Sequence, residues 1–239
     1  LENSFLTSLL QNEGEVDFNV LNATTGGYLT SADATNITTL VPDAVGIMPE
    51  LTMNVPIMLG SQFDSSAKLT GISTNFPEAF GSFYDWKTGN KIDIGDYLTD
   101  NTTILLSSRL AENLGLDKDA ELPISVTTEF TNITVTVTVD PTNGTVVATP
   151  TYSIERIELT ISGIYDSNRP GIGSRYRGML MALENLQEWR SLEDVTRETD
   201  YVGSYLIALK TDHFTTEIDE DYLQEQVDLF EASVSENVY

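Results

Sequence analysis

The chain has 239 residues, 40% of them hydrophobic, which is enough to bury a core as one large domain or two small ones. Its 12 Lys and Arg against 37 Asp and Glu give a net charge of −25, so nucleic acid and anionic membrane surfaces are both poor partners. The sequence contains no cysteine, which excludes disulfides, thiolate catalysis and cysteine-based zinc sites.

Targeting and membrane signals are not found along the chain. The longest apolar run of note, Met179–Leu183, is far shorter than the roughly 18 residues that a spanning helix needs. A signal peptide is also missing. Because the sequence begins at Leu1 and not at Met, we expect it to have been processed or cut from something longer.

The first 86 residues predict the order helix, strand, helix, strand, strand from their apolar spacing. Ser31 is the expected cap of the second helix, with Ile37 facing inward. Pro49 and Pro56 cannot donate to a strand ladder, so they predict an edge strand, a bulged strand or two strands. An aromatic loop, residues 76–86, ends this part. The predicted elements are residues 1–11, Val16–Leu21, Ser31 to about Leu40, 46–59 and Lys68–Thr74.

The residue pattern of the sequence changes near Lys87, where we predict a domain boundary. Soon after it, Thr103–Leu116 predicts a short buried strand followed by a short helix. Ser107 or Ser108 is the expected cap of that helix, and Gly115 is the expected left-handed stop. Its inward-facing residues are expected to be Leu110 and Leu114.

The clearest β pattern is Ile133–Val139, which alternates apolar residues with threonine. Residues 140–145 have turn chemistry, and the chain returns at Val146. We predict a long hairpin that partly faces solvent, with a separate buried strand at Ile157–Tyr165.

The last part of the chain predicts a glycine- and proline-containing loop and then strand, helix, strand and helix. The apolar positions expected on the first of these helices are Leu186 and either Trp189 or Leu183. The terminal helix, from about Asp219, carries an apolar stripe at Leu223, Val227, Phe230 and Val234. The segments before it are 166–178, 178–183, 184–191 and Tyr205–Lys210.

Catalytic patterns are weak. His213 is the single histidine, and there is no G-x-S-x-G elbow, so a serine triad is disfavoured. Asp117, Asp119 and Glu121 begin like a calcium loop, but Leu122 stands where that loop needs glycine. An incidental surface calcium site stays open, as does a secreted hydrolase that uses a carboxylate pair.

Two sets of surface residues are candidate sites. Arg169, Arg175 and Arg177 lie in the 166–178 loop, where they either pair with acidic neighbours or form a contact for a partner or an anionic ligand. The second set consists of N-glycosylation sequons, two of them in or near the predicted hairpin. These are Asn22, Asn36, Asn101, Asn132 and Asn143.

Taken together, four segments resemble the MacB-like periplasmic core domain, the outer domain of ABC transporter permeases of the MacB/FtsX/LolC kind. The chain departs from that family at Asp119-Ala120, where Gly-Asp is usual, and in the length of its hairpin. The four segments are residues 104–116, 159–166, 179–189 and 204–210.

The resemblance implies an α+β fold of two lobes. Residues 1–86 and 201–239 would form a membrane-proximal α+β (porter-like) lobe, and residues 87–200 an inserted, mostly-β (sabre-like) lobe. It also implies a non-catalytic domain without a cofactor, on the extracytoplasmic side of the cell membrane. The implied partners are the protein's own transmembrane helices, a cytoplasmic ATPase subunit, a second copy in a homodimer, and an external protein or transported substrate. A cell-surface adhesion module that uses the threonine-rich hairpin is the alternative.

Overall fold

The computed structural model describes residues 16–22, 28–139, 146–169, 171–193 and 200–209, together with positions 224 and 228. The fold is α+β, as predicted. The helices with described ends are α1 (Ser31–Leu40), α2 (Ser108–Asn113) and α3 (Leu183–Glu193). The first strands are β1 (Phe18–Leu21), β2 (Leu29–Thr30), β3 (Ala44–Leu59), β4 (Gln62–Ile72), β5 (Phe83–Tyr84) and β6 (Lys91–Ile92). The later strands are β7 (Thr103–Ser107), β8 (Ile124–Val139), β9 (Val146–Tyr165), β10 (Met179–Ala182), β11 (Tyr201–Val202) and β12 (Ser204–Leu209).

Eight of these strands form one mixed sheet in the order β1-β12-β3-β4-β10-β7-β9-β8. The sheet closes on itself, because β8 also pairs with the far end of β3 through Ile57↔Thr128 and Met58↔Thr127. The Thr128 hydroxyl donates to the Pro56 carbonyl at 2.7 Å and reinforces this junction. The closure leaves β3 in contact with β4 on one side and with β12 and then β8 on the other.

The centre of the sheet is buried on both faces. Along β7, Ile104 and Leu106 pack into one hydrophobic cluster and Leu105 into the other. The same division holds for β10, where Met179 and Leu180 lie on opposite sides. A strand covered on both faces needs a continuous apolar run and not an alternating one, which explains these sequences.

Helix α1 begins one residue earlier than its predicted cap implies. Thr30 is the capping residue, and its backbone N–H donates to the Asp33 carboxylate at 2.6 Å, while Ser31 bonds to Asp200. The expectation for Ser31 was wrong because Asp33 lies at the third helical position only when Thr30 is the cap. Ile37 is buried as predicted.

Strand β3 runs through both of its prolines as one strand. Of the three predicted alternatives the bulge is confirmed, since the register with β4 shifts between Val55 and Ile57. Pro56 lies there opposite two residues of β4, Ser65 and Ser66, and has no register partner of its own, so its missing N–H interrupts no regular pair. The edge and two-strand alternatives were wrong, because β12 and β4 flank β3.

The strand–helix unit that follows Thr103 matches the sequence closely. Ser107 caps α2, its side chain accepting from the Leu110 N–H at 3.2 Å, and Leu110 and Leu114 are buried. Gly115 has a φ of +78°, the left-handed conformation expected at a helix end.

Strand β9 is a single 20-residue strand and not a hairpin arm followed by a separate strand. Its register with β8 runs without a break from Val146 to Ile161. The segment between Val147 and Ile157 joins the two predicted strands, because its backbone stays paired with β8 throughout. From Thr160 to Tyr165, the inner end of β9 also pairs with β7, and Ser162 is the extra residue of a bulge.

The two predicted lobes contribute strands to the same sheet. Strands β7 to β10 come from residues 87–200, whereas β1, β3, β4 and β12 come from the remainder. The division near Lys87 stays a prediction.

Several predicted features lie outside the described residues. They include His213, the 1–11 helix, the 140–145 turn and most of the terminal helix. Within that last segment, positions 224 and 228 are helical, and the Gln224 amide donates to Asp228 at 2.7 Å. In the part of the chain that is described, no helix is long and apolar enough to cross a membrane.

Candidate functional surface

The predicted arginine loop is tied to the body of the protein. The Arg169 guanidinium lies 3.6 Å from the centre of the Tyr84 ring, and its Nη1 donates to the Gly89 carbonyl at 2.9 Å. These contacts fasten the loop to the β5–β6 hairpin. Arg169 therefore has a structural role whether or not a ligand also binds there.

Arg175 is partly buried beside an acidic side chain. Its Nε lies 3.9 Å from the Glu50 carboxylate, and its Nη2 is 3.4 Å from the Asn19 side chain. Burial and the nearby Glu50 raise the pKa of the adjacent Tyr176 well above its usual value. Arg177 is exposed. A partner contact through these arginines stays a prediction.

The predicted sequons have different environments. Asn22, Asn36 and Asn101 are exposed, whereas Asn132 is half-buried and donates its side-chain amide to the Glu155 carboxylate. Asn143 lies outside the described residues. Glycosylation at all five positions stays a prediction.

The most distinctive surface is the outer part of the β8–β9 hairpin. We call residues 131–139 and 146–154 the distal ribbon, and the rest of the described residues the body. Register pairs share a face of the ribbon, so Ile133↔Tyr152 and Val137↔Ala148 lie on one side and Thr136↔Thr149 on the other. The apolar face carries Ile133, Val135, Val137, Val146, Ala148, Pro150, Tyr152 and Ile154. The threonine face carries Thr134, Thr136, Thr138, Thr149, Thr151 and Ser153, with Val147 among them.

Most of the apolar face is exposed, with Ile133 and Val135 half-buried. Relative accessibility reaches 72% for Ile154, 65% for Tyr152, 64% for Val146 and 60% for Val137. Single exposed apolar residues are ordinary, but a contiguous row on one face is typical of an interaction site.

The exposed row lies on the opposite side of the sheet from the core. Near the body, Val126 and Phe130 of β8 point inward, and the Phe130 ring stacks on Trp189 of α3 with centroids 5.9 Å apart. Beyond Phe130 the apolar residues resume at Ile133, three positions on, and the phase of the alternation is therefore reversed. A shift by an odd number of residues moves the apolar side chains to the other face. The domain's own core consequently cannot cover the apolar face.

Sequence reasoning found the alternation but missed this reversal. The signal was present, because Val126, Thr128 and Phe130 are even-numbered and Ile133, Val135 and Val137 are odd-numbered. Only burial shows which of the two sets faces the core.

The apolar face has a polar boundary at its body end. Arg156 and Glu129 are register partners on the same side of the ribbon, and the Arg156 Nε lies 2.7 Å from the Glu129 carboxylate. Among the described residues, no three acidic or histidine side chains are grouped so as to hold a metal ion. An exposed apolar face with a charged pair at its edge is suited to contact with another surface.

No protein-family model matches the chain, and neither does any curated protein. Solved structures with a similar fold include the extracellular domain of the noncanonic ABC-type transporter YknZ from Gram-positive bacteria. That structure shares 10% identity, covers 88% of this chain and 92% of its own, and has a TM-score of 0.46.

A second similar structure is the periplasmic region of MacB from Actinobacillus actinomycetemcomitans. It shares 13% identity, covers 87% of this chain and 74% of its own, and has a TM-score of 0.46. MacB is also one of the proteins that the sequence resemblance names. What is shared at these identities is an outline of the fold, and what this chain does follows from its own residues.

Proposed function

We propose that the chain is the extracytoplasmic domain of an ABC transporter permease. In this role it is non-catalytic and passes the ATP-driven motion of transmembrane helices to an external substrate or partner protein. Its partners are the permease's own transmembrane helices, a cytoplasmic ATPase subunit and a second copy in a homodimer.

The observation that carries the proposal is the continuity between the body and the distal ribbon. Three of the four segments behind the sequence resemblance place β10, β7 and β9 side by side in the sheet. Strand β9 then runs without interruption from Tyr165, which is fully buried, to Val146, which is exposed. At about 3.4 Å per residue, such a strand extends over roughly 65 Å.

A body of this kind is suited to transmit motion. Cores packed at crystal-like density move as rigid units and do not absorb displacement. Closure of the sheet between β3 and β8 holds the base of the ribbon on two sides. A rotation of the body is therefore enlarged at the tip, as in other rigid-body transitions.

The coupling can be measured in the complete transporter reconstituted in a bilayer. The described chain has no cysteine, so a donor dye on Thr136→Cys labels the ribbon alone within it. We expect its energy transfer to an acceptor lipid in the outer leaflet to change on ATP addition. The matched control is a donor on Thr35→Cys, an exposed α1 position in the predicted membrane-proximal lobe, whose energy transfer should change less.

Transfer from the ribbon that is the same with and without ATP would contradict the coupling. It would favour the alternative, a cell-surface binding or adhesion module. The exposed threonine-rich face of the ribbon supports that alternative, and adhesion requires no response to nucleotide.

A further inference from the structure

We infer that the apolar face of the distal ribbon binds the same face on a second copy of this chain. The inference stands on the ribbon itself and does not require the transport role. It explains why the apolar phase reverses at Phe130, since an apolar row turned away from its own core needs a cover from outside.

Charge favours a second copy as the occupant. Between Thr131 and Ile154 the only charged residue is Asp140, in a chain whose net charge is −25. Two copies can therefore join their ribbons without bringing rows of carboxylates together. A basic partner would be drawn instead to the acidic remainder of the chain, because opposite charges direct such encounters.

The face is also self-complementary in shape and chemistry. A two-fold axis through the middle of the ribbon places one apolar face against the other, with each tip directed toward the other copy's body. Aliphatic side chains such as Val137 and Ile154 then contact aliphatic side chains of the other copy. The same patch is used on both copies, as in an isologous interface. Sheets packed face to face in this way lie about 10 Å apart.

The length of the ribbon reduces the repulsion between the acidic bodies. About eight residues at roughly 3.4 Å each separate the body end of the ribbon from its tip, or about 27 Å. In the antiparallel arrangement the two bodies lie at opposite ends of that span. This distance exceeds the Debye length of about 8 Å at physiological ionic strength, so body-to-body repulsion is largely screened.

The contact is expected to be weak in the isolated chain. A two-stranded face about 10 Å wide and 27 Å long projects roughly 270 Å². A stable interface buries about 800 Å² of accessible surface per partner, so this one is well below that size and belongs with weak, transient contacts. We therefore expect a dimer that dissociates at low micromolar protein and forms on concentration or when both copies share a membrane.

Sedimentation equilibrium of the full 239-residue chain tests the inference. We expect concentration-dependent dimers of the wild type and at least about a tenfold higher dissociation constant for Val137→Glu, because the interface would bury its carboxylate unpaired. Thr136→Glu is the matched control, an adjacent exposed position with the same added charge on the threonine face. Its constant should stay within about twofold of the wild type. Circular dichroism verifies that both variants are folded.

Each other outcome overturns the inference. A wild-type chain that stays monomeric up to about 1 mM has no such contact, and equal weakening by both glutamates would place the contact elsewhere. Wild-type monomers that bind phosphatidylcholine vesicles, with binding lost in Val137→Glu, would assign the face to lipid. None of these results bears on ATP-dependent movement of the ribbon, so failure here is distinguishable from failure of the proposed function.

Discussion

At the scale of the residue, Tyr205 connects the sheet to the start of α1. Its hydroxyl donates to the carbonyl of Thr30, the α1 capping residue, at 2.7 Å. Burial, with Asp33 and Asp200 nearby, raises the pKa of Tyr205 to about 12. The hydroxyl must keep its proton to donate this hydrogen bond, so its ionisation destabilises the folded state.

We predict a loss of stability in alkali that depends on Tyr205. Because the pKa is about 12 in the folded protein and about 10 in the unfolded chain, the unfolded state loses its proton first. The contribution is complete below pH 10 and declines as the pH rises toward 12. Tyr205→Phe should cost about 1 kcal/mol at pH 7 through the lost hydrogen bond. Its deficit should shrink above pH 10, as measured by urea unfolding, and a deficit constant from pH 7 to 11.5 would contradict the assignment.

At the scale of the element, the distal ribbon is anchored where β8 meets α3. Phe130 is 5% exposed, and its ring is nearly parallel to that of Trp189, with 9° between the planes. Phe130 is the outermost buried side chain described on β8, so it marks the end of the core. Two-stranded ribbons are only marginally stable alone. The ribbon's order therefore depends on this contact and on the pairing of β8 with β3 at Thr127 and Thr128, next to the ribbon.

Phe130→Ala is predicted to lower the free energy of unfolding by about 3–5 kcal/mol and to loosen the ribbon. Amide hydrogen exchange should accelerate most in residues 131–139 and 146–154. The control, Val137→Ala, removes an exposed side chain of the same strand and should change stability by no more than about 0.5 kcal/mol. If exchange in the ribbon were unchanged in Phe130→Ala, the anchor would lie at β3 alone.

At the scale of the whole molecule, one closed sheet holds together a chain of high negative charge. With 37 acidic and 12 basic residues, most carboxylates lack a basic partner. The ion pairs described on the surface, such as Lys87 with Asp119 at 3.3 Å, join exposed side chains and contribute little. Repulsion among carboxylates is therefore a general cost of folding this chain.

Sodium chloride is accordingly expected to stabilise the protein. Raising it from 20 mM to 500 mM shortens the Debye length and weakens repulsion in the compact state. The midpoint of thermal unfolding should rise by at least about 2 °C, the shift that about 1 kcal/mol produces at this size. An equal concentration of potassium chloride should have the same effect. A midpoint that falls or stays constant would show that the charges are balanced locally in a way that the net charge hides.

Features that depend on a few neighbouring residues were determined by the sequence itself. The left-handed Gly115 and the α+β class are correct, and the α2 cap was narrowed to Ser107 or Ser108, because capping, backbone sterics and apolar spacing act over one or two turns. Pro56 left three alternatives open, because a missing N–H excludes a regular ladder position without saying what replaces it, and the pairing of β3 with its neighbours decided for the bulge.

Only the tertiary structure decided which segments pair and which faces are covered. Closure of β3 on β8 joins residues about seventy positions apart, and β9 continues through a polar stretch because β8 lies beside it. The sequence shows that the ribbon has an apolar face and a threonine face, but it cannot tell which of them is turned toward the core. The choice of face is made by the contact between Phe130 and Trp189, which are distant in the sequence. Because this contact turns the side of β8 that carries Phe130 toward the core, the apolar face of the ribbon is left exposed.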